Sequence, residues 1–128
     1  MDYTFNRLIP DATIDEIDTR LRAALSAHGF GVLTEIDVAA TMKTKLDADI
    51  APYRILGACN PKMALAAIGM EPRVGAMLPC NVILRGTEDG IEISAIDPVA
   101  SMAAINNDAL KTVAGQVRDM LIAAVKAA

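Results

Sequence analysis

The chain has 128 residues, enough for one domain with a real core and hardly enough for two. Hydrophobic residues make up 53% and charged residues 22%, which excludes a disordered chain. Twelve basic residues against 16 acidic ones, 3% aromatics and no Trp leave neither the charge to hold phosphates nor the rings to stack bases, so nucleic acid is not an expected partner.

The first residues carry no basic stretch followed by an apolar run, so no signal peptide is expected. Every apolar run is interrupted well before a bilayer could be crossed, so no membrane span is expected. The cytoplasm is the expected location, and there two cysteines are normally thiols.

Residues 2–8 mix β-formers with polar residues and predict a first strand, broken by Pro10-Asp11. Thr13 and Glu16 have capping-box spacing. Ile14, Ile17, Leu21 and Leu25 follow at helical intervals, predicting a helix over 13–28 that Gly29 stops. Phe30 to Asp37 reads as a strand, Val38 to Leu46 as a short helix, and Tyr53 to Ala58 as a strand. Asn60-Pro61 is a helix start, with Asn as cap and Pro in the first turn, and that helix runs to Gly69. Pro72, Gly75 and Pro79 mark 70–79 as an ordered loop. Residues 82–85 and 91–96 flank Asp89-Gly90 and form a hairpin, closed off by Asp97-Pro98. Leu110, Val113, Val117, Leu121 and Val125 predict a terminal helix over roughly 107–126.

Strands alternating with helices, plus one hairpin, imply a single-domain two-layer α/β sandwich. Its sheet is expected to be mixed, with about five strands and the helices mainly on one face. The edges of so small a sheet need covering, and a second subunit is one solution.

Most familiar chemistry is disfavoured. Gly29-Phe30-Gly31 lacks the third glycine of a dinucleotide loop and follows a helix. His28 is the only histidine and sits at a helix end, where a plain cationic role is the simpler reading than a hydrolytic triad. One His and two Cys cannot close a zinc site of the usual kinds. Lys43 and Lys45 read as a solvated helix face, and Asp97 as a strand terminator.

The informative residues are Cys59 and Cys80, each followed by Asn: Ala58-Cys59-Asn60-Pro61 and Pro79-Cys80-Asn81-Val82. Cys59 stands where a strand gives way to a helix, and unpaired N–H groups there favour thiolate. The functional reading is one pocket holding both thiols, with the Asn60 and Asn81 amides orienting a ligand. The plainer reading is two buried cysteines, a helix cap and a turn residue. Met63 and Met77 lie nearby in sequence, and Cys with Met is a soft donor set that suits Cu(I), although Met is also a common gap filler. No cofactor is otherwise expected. A Cys59–Cys80 disulfide would contribute roughly 3 kcal/mol, but a reducing cytosol argues against it.

The run from Tyr53 to Pro61, then Glu71-Pro72-Arg73-Val74-Gly75-Ala76-Met77-Leu78-Pro79-Cys80-Asn81-Val82, resembles the bacterial and archaeal family called domain of unknown function 302. Lys43-x-Lys45-Leu46 and Asp97-Pro98 also look like that family, so the resemblance spans roughly 30–105. It implies a compact α/β fold and a homodimer, and no established reaction, cofactor or substrate. It adds Tyr53 to the candidate ligand-binding set of Cys59, Asn60, Cys80 and Asn81. Three functions stay open. The leading one is a binding protein for a small molecule or soft ligand. The second is a thiol redox enzyme with Cys59 reactive and Cys80 resolving. The third is an interaction module whose cysteines are structural.

Overall fold

A computed structural model describes residues 2–128. Its elements run β1 (Thr4–Ile9), α1 (Ile14–Ala27), β2 (Gly31–Asp37), α2 (Val38–Leu46), β3 (Tyr53–Cys59), α3 (Pro61–Met70), a 3₁₀ turn (Pro72–Met77), β4 (Cys80–Thr87), β5 (Gly90–Ile96), α4 (Pro98–Ser101) and α5 (Asp108–Ala127). The five strands form one sheet in the order β1-β5-β4-β3-β2.

The two-layer α/β sandwich is as expected, but the sheet is not mixed: every neighbouring pair is antiparallel. The helix-bearing links from β2 to β3 and from β3 to β4 are responsible. A helix between two strands suggests a parallel crossover. Here α3 and the 3₁₀ turn instead carry the chain out over one end of the sheet and back, and Ala58 pairs with Cys80. The predicted loop at 70–79 therefore holds an ordered turn of helix.

Helix α1 begins at Thr13, whose hydroxyl accepts the Glu16 N–H at 3.2 Å. Its Ile17, Leu21 and Leu25 repeat every four residues and are fully buried. Helix α5 is capped by Asn107 and buries Leu110, Ala114, Val117, Leu121 and Val125. Both helices pack on the face of the sheet formed by residues such as Leu56, Val82, Leu84 and Ile93. Arg54, on that face, pairs with Asp15 at 2.6 Å and Asp18 at 3.2 Å on α1, and the Asp15 hydrogen bond chiefly raises its pKa above the ordinary value.

Among the described residues no helix covers the opposite face. Strand alternation turns Tyr53, Asn81, Ile83, Arg85, Glu92 and Ser94 towards it, where they line a shallow groove of about 520 Å³. Edge strand β2 is largely exposed, with Leu33 66% and Ile36 49% accessible. Among the described residues no helix is long and apolar enough to cross a membrane.

The core has two parts. The larger lies between the sheet, α1 and α5. The smaller gathers Ala67, Val74, Met102, Leu110 and Ala114 beneath α3 and the 3₁₀ turn.

Candidate functional site

The seam between these two clusters is incompletely filled. A crevice of about 30 Å³ runs along it, bordered by the ends of β3 and β4, by α3 and by α5. Cys59 and Cys80 both line it, together with Asn60, Met63 and Met102. Antiparallel pairing of β3 with β4 brings the cysteines together, because the last residue of one strand and the first of the next lie at the same end of the sheet. Both are free thiols.

The thiols differ. Cys80 is 7% accessible, and burial, helped by the neighbouring Cys59, pushes its pKa from 9.0 up to about 11. It is therefore protonated at neutral pH. Cys59 is only half-buried and immediately precedes the cap of α3.

Asn60 is that cap. Its Oδ1 accepts the Met63 N–H at 3.0 Å, and Pro61 occupies the first turn, where its missing N–H costs nothing. The Asn60 cap fixes where α3 starts, and with it where Met63 lies relative to Cys59. Replacing Asn60 by Ala is expected to lower stability by about 0.5–2 kcal/mol. Chemical denaturation of the two proteins checks this, and an unchanged midpoint contradicts the capping role.

Two of the expected site residues lie elsewhere. Tyr53 and Asn81 line the groove on the helix-free face of the sheet. Asn81 follows Cys80 within a strand, so the two side chains leave opposite faces. Tyr53 begins β3, at the other end from Cys59. Arg85, Glu92 and Ser94 share their groove. Arg85 donates to Glu92 at 2.8 Å and holds its carboxyl below the usual carboxylate range.

Met77 does not reach the crevice and is 41% exposed at the end of the 3₁₀ turn. Met102, which sequence spacing did not suggest, lines it instead. Asp97 sets it up: the carboxylate caps α4 through the Val99 N–H at 2.9 Å, and Met102 N–H closes that helix onto the Pro98 carbonyl at 3.0 Å. Lys43 pairs with Asp47 and Asp49 on the surface and, like Lys45, belongs to α2, at the far end of β2 from the cysteines. His28 caps the end of α1, its Nδ1 2.8 Å from the Ala24 carbonyl.

Among the described residues no three His, Cys, Asp or Glu side chains gather as a metal-binding group. Two cysteines and two methionines border the crevice, and Asn60 adds an amide. Its remaining wall is mostly aliphatic.

No curated protein matches the chain. A crystal structure of an uncharacterized conserved protein DUF302 from Bacillus stearothermophilus superposes on it with a TM-score of 0.92 at 26% sequence identity, over 98% of each chain. Residues 6–128 match the family described as Domain of unknown function DUF302, so the chain belongs to that family.

Proposed function

We propose that this protein is a small binding module whose ligand sits in the seam beside Cys59 and Cys80. The observation that carries this reading is the convergence of Cys59, Asn60 and Cys80, drawn from two segments well apart in sequence, on one unfilled crevice. Its size narrows the ligand. Sites for organic molecules usually span several hundred Å³. About 30 Å³ has room for one or two water-sized bodies. An atom-sized, soft ligand fits the seam as it stands.

A thiol enzyme is less favoured. The high pKa of Cys80 makes it a slow attacking thiol, although Cys59 retains partial access. Iodoacetamide labelling followed by peptide mass analysis tests the binding reading. Cys59 is expected to react first. It should react more slowly in protein purified from its host than in the same protein unfolded, dialysed and refolded. Identical rates before and after this treatment contradict a resident ligand.

We also propose that the module is a homodimer. The exposed edge of β2 and the helix-free sheet face are the features a second copy would cover. Sedimentation equilibrium at micromolar concentration is expected to give twice the 13.5 kDa chain mass. A single-chain mass contradicts it.

A further inference from the structure

We infer that the seam is a site for one Cu(I) ion, held by the sulfurs of Cys59, Cys80, Met63 and Met102; this rests on the binding reading above and names its ligand.

Four sulfur-bearing side chains line one crevice in a chain with only two cysteines and seven methionines. They come from four separate segments: the end of β3, the start of β4, the first turn of α3 and the residue after α4. Each segment is held by its own backbone device. β3 and β4 are locked in register, Asn60 caps α3 one turn before Met63, and Asp97 starts the short helix that ends at Met102. Two caps and a strand pairing thus converge on one set of donors. The seam stays incompletely filled even with these side chains packed along it.

The donor chemistry selects the ion. Thiolate and thioether are soft ligands and favour Cu(I) over harder cations. Among the described residues no carboxylate or imidazole borders the crevice to recruit zinc, calcium or magnesium. The size agrees, since about 30 Å³ admits a single ion and excludes a hydrated one. Methionine side chains have three rotatable bonds, which lets their sulfurs adjust to an ion by rotation.

Charge is balanced without electron transfer. Cu(I) enters as such, each coordinating thiol releases its proton to solvent, and copper stays in the same oxidation state. Burial opposes thiolate at Cys80, and the ion's positive charge removes that opposition. The N-terminal end of α3 beside Cys59 offsets what negative charge remains.

The test is an anaerobic titration of the reduced protein with Cu(I) against a colorimetric Cu(I) chelator, with Zn(II) as a parallel probe. One equivalent of Cu(I) per chain should be retained and Zn(II) should not. The double variant Met63→Leu, Met102→Leu keeps both thiols and nearly the same volume. It should weaken retention by more than about 10-fold, the effect that disturbing even a ligand's neighbours has at metal sites. Cys59→Ala should abolish stoichiometric binding. Thermal melts confirm that each variant is folded, and Met102→Leu alone replaces the double variant should that one unfold. Retention unchanged by the methionine substitutions overturns the site, because two thiols alone would then explain it. Equal retention of Zn(II) overturns it as well. Absence of Cu(I) binding, with Cys59 still protected in host-purified protein, overturns the copper assignment and leaves the binding reading standing. Absence of both overturns both.

Discussion

Gly57→Ala is expected to destabilise the fold by about 1–3 kcal/mol, the usual cost of forcing an extra carbon into a packed site. A Cβ on Gly57 would fall 2.6 Å from Pro79 Cγ and would also collide with Thr34 Oγ1. Thr34 is exposed and its hydroxyl can rotate away. The Pro79 ring is closed and cannot, and it immediately precedes Cys80. Relief therefore has to displace the start of β4. Cys80 should move with it, so the same variant should label faster with iodoacetamide. Gly31→Ala is the control, because a Cβ there meets nothing within 4 Å. Urea denaturation of both variants checks the expectation. A Gly57→Ala protein as stable as Gly31→Ala contradicts it.

Stability should also fall as the solution is made alkaline, and Cys80 should account for about 3 kcal/mol of the loss. In the unfolded chain this thiol ionises near its ordinary value of 9.0, whereas in the folded protein it holds its proton to about 11. Between those values the folded state binds more protons than the unfolded state, so stability declines as pH rises. Below 9.0 both states are protonated and Cys80 contributes no pH dependence; above about 11 both are ionised and the loss is complete. Two pK units at about 1.4 kcal/mol each give the magnitude. Lysines and tyrosines titrate in the same window, so the comparison is with Cys80→Ala. Denaturant unfolding from pH 8 to about 11 should show a shallower decline in the variant. Parallel curves for the two proteins contradict the burial of this thiol.

Much of this fold is written in local sequence. The Thr13–Glu16 spacing, Asn60-Pro61 and Asp89-Gly90 each specify their element through the backbone groups they satisfy or the turn they permit, independent of distant contacts. Strand direction is not local in that way. The alternation of Cys80, Val82 and Leu84 is the same in a parallel or an antiparallel sheet, and only the path of 60–79 over the sheet end decides between them. That path brings the cysteines together.

The candidate site was legible in its thiols and less so in its other members. Cys80 and Asn81 are adjacent within a strand, so the two-residue period already separates their side chains, and Asn81 belongs with Arg85 and Glu92 on the other face. Asn60 escapes that rule because the strand ends at Cys59. Met77, close in sequence, is carried outward by the 3₁₀ turn, whereas Met102 returns through α4. No spacing rule links Met102 to Cys59, since a tertiary contact between the two core clusters puts them on one seam.

The seam between those clusters is proposed to hold a ligand against Cys59. The most direct measurement is a crystal structure of the protein purified from its native host without denaturation or added chelator. Non-protein density is expected in the crevice, in contact with the Cys59 sulfur and within reach of Cys80. A crevice that is empty, or that contains only water, would contradict it.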